Sequence, residues 1–156
     1  MTPFGPESDD PLAEPFWRAA RGDRLVLPYD GDKNDWCWYP RIGAQLQWRE
    51  VAGAATLVAW SVVRGPINPL FAPPYAPALV TLDAAPGLRL VTRIVDCIFE
   101  SLRCDMPLEL CFRTLKPRAR AEFRAPVFRP RDPALRPAEN DLSFGRSEAS
   151  ARRALP

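Results

Sequence analysis

Asp96, Asp105 and Glu109 are the side chains that acid–base chemistry would draw on in this chain, because its 156 residues include no histidine. Without histidine, proton transfer falls to Asp, Glu, Lys or Tyr. The same absence excludes Ser-His-Asp and Cys-His nucleophilic sites and every His-ligated metal site within the chain. The three carboxylates stand near turns and strand ends, where isolated acidic residues are normally solvated. Cys37, Cys97, Cys104 and Cys111 contain no C-x-x-C pair, so they cannot build a zinc ribbon. They read as reduced thiols used for packing.

Tyr29 to Gly43 offers one metal pattern. Asp30, Asp32 and Asn34 fall at positions 1, 3 and 5 of a calcium loop. Asp35 then stands where that loop needs Gly, and Arg41 where it needs a bidentate Glu. The passage therefore reads as a polar turn leading into Trp36, Trp38 and Tyr39, which pack against the body.

The elements that must position these groups are mostly strands. Gln45 to Leu115 holds four or five of them, the clearest being 55–64, rich in β-branched and aromatic residues. Leu46–Val51 alternates apolar and polar residues and is expected to open a barrel, with Gly53 at a corner. Ala78–Leu82 and Leu88–Val95 flank Asp83–Gly87 as a hairpin. Residues 96–105 connect, with a helical turn at 98–102, and Met106–Leu115 is the last clear strand. Glu122–Pro130 suggests one more short edge piece.

Before the barrel, Asp10 to Gly22 predicts a short helix. Asp10 caps it, Pro11 or Pro15 sits in its first turn, Gly22 is its left-handed stop, and Phe16 and Trp17 supply its apolar contact across the barrel end. Arg24–Leu27 predicts a brief strand. Between strands, Gly65 to Pro77 carries five prolines and displays Ile67, Leu70, Phe71 and Tyr75. Such a stiff loop is either a binding element or a lid over the barrel mouth.

Charge divides the chain unevenly. Residues 1–115 carry 11 basic and 14 acidic side chains, whereas residues 116–156 carry 10 and 5. The barrel is therefore net acidic, and the basic excess sits in a Pro-rich tail. No apolar run approaches the roughly 18 residues of a membrane helix. The N-terminus has no basic or apolar signal region, so the expected location is the cytoplasm, with no membrane partner.

The order of several phrases sharpens the fold class. Phe16-Trp17, Gly22-Asp-Arg-Leu25, Tyr39-Pro40-Arg41, Trp60-Ser-Val-Val63 and Pro74-Tyr-Ala-Pro-Ala-Leu-Val80 come first. Gly87-Leu-Arg-Leu90, 103–112 and Phe128-Arg-Pro130 follow. Over about residues 14–130 this resembles the thiolase-associated OB-fold family, which joins a rubredoxin-like zinc ribbon to an OB barrel. The resemblance implies a mainly β chain with an OB-type five-stranded barrel, a short N-terminal helix and a degenerate, metal-free ribbon-like segment. The family's zinc cysteines would fall at about Asp30, Lys33, Ile42 and Gln45, so no zinc is expected, and Trp36, Trp38 and Tyr39 would replace it by packing.

The domain layout expected is disorder over 1–12, helix and degenerate ribbon over 13–45, barrel over 46–130 and a disordered Pro/Arg-rich tail over 131–156. The function implied is a non-catalytic accessory subunit of a thiolase-like or aldolase complex acting on acyl-CoA thioesters, as in steroid side-chain or aromatic-acid degradation. It would bind no cofactor tightly, the coenzyme A thioester being the substrate of the complex. Trp36, Trp38, Arg64, Phe71 and Tyr75 are the expected partner contacts, with Arg64 and Arg89 placed to meet phosphates of the acyl-CoA. The alternative is a single-stranded nucleic-acid-binding OB protein, disfavoured by the acidic barrel. A free-standing enzyme using Asp96, Asp105 and Glu109 is a third reading.

Overall fold

Five strands close into a barrel, and three earlier ones form a small sheet beside it. The computed structural model describes residues 12–37, 46–67, 69–118 and 120–137. The three-stranded sheet consists of β1 (Val26–Asp30), β2 (Asp35–Trp36) and β3 (Leu46–Glu50), in the order β2-β1-β3. The barrel consists of β4 (Ala54–Trp60), β5 (Ala76–Leu82), β6 (Ala85–Ile94), β7 (Pro107–Leu115) and β8 (Phe123–Pro130), in the order β4-β5-β6-β8-β7. This is the expected OB architecture, mainly β with one short helix. No helix among the described residues is long and apolar enough to cross a membrane.

Period-2 alternation builds the barrel wall. In β5, Ala76, Ala78, Val80 and Leu82 are buried, and in β6 Leu88, Leu90 and Ile94 are. These point inward to meet Leu57, Met106, Leu108 and Phe128, while Arg89, Val91 and Arg93 point outward. The β5–β6 hairpin turns tightly at Asp83 and Ala84. Its register slips from Leu82↔Ala85 to Thr81↔Arg89, and Gly87 takes φ +82° inside that bulge. The expected helical turn is present as a 3-10 turn at Phe99–Ser101.

Leu46–Glu50 does not open the barrel as expected. It pairs along its length with β1, Val26↔Glu50 through Asp30↔Leu46, and the closed barrel starts at β4. The link between the two units is Val51–Gly53. The Val51 N–H donates to Leu25 O (3.0 Å), and Gly53 O accepts from the Leu110 N–H (2.8 Å). A Cβ on Gly53 would sit 2.1 Å from Leu110 Cβ, so only glycine allows this crossing.

The expected edge piece at Glu122–Pro130 is an interior strand. β8 pairs with β7 over eight residues, Leu108↔Pro130 through Leu115↔Phe123, and closes the barrel on β6 by one parallel pair, Ile94↔Phe128. Phe128 O accepts from the Val95 N–H (2.8 Å), and Pro126 O from Thr92 Oγ1 (3.2 Å). Residues 126, 128 and 130 therefore direct their backbone polar groups toward β6. Both prolines lie on that side, leaving the ladder to β7 intact.

The helix α1 (Glu14–Arg21) has Ala13 at its N-cap with no side-chain cap, and Pro15 sits in its first turn. The expected cap Asp10 lies outside the described residues. Gly22 is not the left-handed stop: its φ is −100°, and Asp23 takes φ +56° instead. Asp tolerates that region, and its carboxylate is held there by Arg124 through bonds of 2.6 and 2.7 Å. Trp17 packs edge-on against Phe123 at the start of β8, with ring centroids 5.4 Å apart.

Order continues past Arg131, where disorder was expected. Leu135 O accepts from the Ile98 N–H (3.0 Å), and Leu135 packs on the core. Arg136 reaches Glu109 at 2.7 Å. The expectations for residues 1–11 and 138–156 lie outside the described residues.

Candidate functional site

The proline-rich loop between β4 and β5 is the site's main element. An isolated bridge, Val63↔Tyr75, closes its base. Its middle is fastened by the Arg118 N–H donating to Leu70 O at 2.7 Å. Phe71 and Tyr75 lie with ring centroids 6.1 Å apart, and the Arg93 guanidinium stands 4.5 and 4.7 Å from the two. Since Arg93 points out of the barrel, these rings rest on the outer wall. Ile67, at the loop's tip, is 82% exposed. The loop thus lays Phe71 and Tyr75 on the wall beside Arg93 and leaves Ile67 to solvent.

The other nominated residues divide. Arg89 is exposed on β6, four residues from Arg93 on the same outward face. Arg64 is exposed and bonds Glu100 at 2.7 Å, with the Phe99 ring 5.9 Å away. That partner offsets most of its pull on another anion, and it holds the Glu100 carboxyl below its usual range alongside a backbone hydrogen bond, the larger cause. Trp36 is half-buried against the core with its ring edge-on to Tyr29 (5.2 Å). Trp38 and Tyr39 lie outside the described residues. The loop and the two β6 arginines therefore share one face, while Trp36 acts within the small sheet.

The small sheet spans the stretch where the resemblance would put a zinc ribbon, and the residues at those positions do not suit the ion. Asp30 is buried, and its Oδ1 accepts from the Asp32 and Lys33 N–H groups at 3.1 and 3.3 Å, shaping the turn. Lys33 is an exposed cation, and Ile42, outside the described residues, has no donor atom. Among the described residues no group of three or more His, Cys, Asp or Glu could hold a metal. The turn is tied instead by Tyr29. Its hydroxyl donates to Asn34 Oδ1 (2.6 Å), its ring meets Trp36, and Arg49 stacks 3.5 Å over its centroid.

The three candidate catalytic carboxylates are otherwise engaged. Asp96 bonds Arg113. Glu109 Oε1 accepts from Arg129 and Arg136, both at 2.7 Å. Burial acts to raise the Glu109 carboxyl, but the two guanidiniums together outweigh it and hold it below its usual range. Asp105 is exposed in a left-handed turn. A cleft of about 260 Å³ between Met106, Pro107 and Leu135 is flanked by Arg103, Arg131 and Asp132, and none of the nominated residues lines it. No disulfide joins the cysteines among the described residues. Burial, with Asp96 and Glu100 nearby, pushes Cys97 up to about 11. Burial likewise raises Cys111.

Arg93 was not among the residues nominated from the sequence. The signal available was its alternation with Leu90, Thr92 and Ile94, which places it outward beside Arg89 and Val91. That it meets no carboxylate among the described residues appears only in three dimensions.

A closed β4-β5-β6-β8-β7 barrel with a fastened loop on its outer wall defines an OB-fold domain. Residues 48–113 match the family described as ChsH2, C-terminal OB-fold domain. Among solved structures, a chain of the Ltp2-ChsH2(DUF35) aldolase is similar at 27% identity and a TM-score of 0.64, over 78% of this chain and 95% of that one. A search of curated proteins finds no match. These two likenesses support the resemblance to the thiolase-associated OB-fold family that the order of its phrases indicated.

Proposed function

We propose that the chain is a non-catalytic accessory subunit of a thiolase-like or aldolase complex acting on acyl-CoA thioesters, working in the cytoplasm without zinc. The observation that carries this reading is the likeness to a chain of the Ltp2-ChsH2(DUF35) aldolase over 95% of that chain's length. The absence of histidine supports the same division of labour, with catalytic Cys and His on the partner. Phe71 and Tyr75 on the outer wall, with Arg89 on the same face of β6, supply the aromatic and Arg contacts that interfaces favour. Arg89, unlike Arg64, has no carboxylate partner among the described residues and is the better candidate for a CoA phosphate.

Purification of the tagged chain from its own host, with identification and quantification of what co-elutes, tests this. A stoichiometric thiolase-like or aldolase subunit is expected. A chain that elutes alone as a stable monomer overturns the reading.

A further inference from the structure

Five of the described arginines are partly buried: Arg93, Arg113, Arg124, Arg129 and Arg136. Four of them bond a carboxylate, namely Asp96, Asp23 and, for the last two, Glu109. Arg93 alone bonds no carboxylate among the described residues. Its packing removes water from the guanidinium, and that desolvation lowers its pKa. A half-buried charge left without a counter-charge is costly, and an anion brought to it recovers much of that cost.

The geometry shows where such an anion enters. Phe71 and Tyr75 lie 4.5 and 4.7 Å from the guanidinium carbon, yet their centroids are only 6.1 Å apart. Rings stacked on opposite faces would be about twice as far from each other as either is from the cation. These two instead form a corner about it, leaving its far flank clear of both rings. The guanidinium's five N–H donors have no hydrogen-bond acceptor among the described residues, in a fork that suits a carboxylate. On the same outward face of β6 lie Val91 (55% exposed) and the exposed Arg89.

We propose that Arg93, held in the corner of Phe71 and Tyr75, is the docking socket for an Asp or Glu carboxylate of the partner subunit. Val91 supplies exposed apolar surface beside it, and Arg89 adds long-range attraction. The occupant is a protein side chain because the socket is set in an exposed apolar surface, which a compact, hydrated phosphate would leave uncovered. This rests on the accessory-subunit reading.

The test uses the full chain and the partner subunit that co-purifies with it. Arg93→Gln is expected to weaken the complex by about 10-fold or more and to flatten its salt dependence. Arg93→Lys, which keeps the charge and loses the fork, is expected to fall between. Because the side chain points outward, the barrel should persist, read as an unchanged far-ultraviolet circular dichroism. Val91→Asp, at an exposed position, should weaken the complex independently by opposing the incoming carboxylate. An Arg93→Gln chain that folds and binds the partner with unaltered affinity overturns the socket while leaving the accessory role standing. Unaltered partner affinity with weaker acyl-CoA binding to the complex also overturns it, assigning Arg93 to phosphate. Purification with no stoichiometric partner overturns both.

Discussion

Arg124 grips the carboxylate of Asp23, 101 positions earlier in the sequence, through two hydrogen bonds of 2.6 and 2.7 Å. The pair joins the left-handed residue that ends α1 to the strand that closes the barrel. It also gives acid stability a defined origin. The hydrogen bond and charge of Arg124 hold the Asp23 carboxyl below its usual range, and Glu109 is held low as well. A carboxyl lowered by folding adds stability that is fully present above its unfolded pKa of about 4 and is lost as pH falls through the folded one. Thermal melts should therefore be flat from about pH 6 to 8 and fall steeply below about pH 4. Glu109→Gln should lower the midpoint at pH 7 and flatten the acid limb. Asp23→Asn should do so more weakly, since Asn accepts the same positive φ. A Glu109→Gln protein with the native acid limb would refute this.

Gly53 permits β3 to pass into the barrel against Leu110. Gly53→Ala should destabilise the fold by about 1–3 kcal/mol through overpacking, because its new Cβ meets the side chain's own root. Gly65→Ala, with nothing within 4 Å of the added atom, should be nearly neutral. Chemical denaturation of both variants measures the difference.

The proposal that the chain works without zinc, its small sheet held by Tyr29, Trp36 and Arg49, predicts that a strong chelator leaves the melting temperature unchanged. Trp36→Ala should cost about 2 kcal/mol as the half-buried ring leaves Tyr29 and the core. Loss of stability on chelation would contradict this.

Thiol modification at pH 8 should begin at the exposed Cys104 and reach Cys97 last, since burial pushes that thiol up to about 11 and leaves little thiolate. Mass mapping of a time course gives the order directly.

Strands that alternate, such as β5, were legible because burial on one face leaves a period of two. β8 was demoted to an edge because two prolines ordinarily exclude an interior strand. The sequence shows Pro126 and Pro130 at one parity but could not display that this parity faces a seam needing few donors. Leu46–Glu50 was legible as a strand but not by partner, since its complement β1 lies across the ribbon turn. At the candidate site, Phe71 and Tyr75 were legible from their stiff loop. Arg93 was not, because its importance lies in which carboxylates it fails to meet, a property of contacts distant in sequence.

The seam formed by β8 also constrains biosynthesis. This strand supplies β7's long ladder, the parallel closure on β6 and, through Phe123 and Arg124, the anchorage of α1. A nascent chain that has not yet exposed residue 130 can form the β5–β6 hairpin but has nothing to shut the barrel or seat its own first helix. Folding must then wait for nearly the whole described chain to leave the ribosome. During that interval the inward faces of β5 and β6 are open to whatever chaperone or partner arrives first.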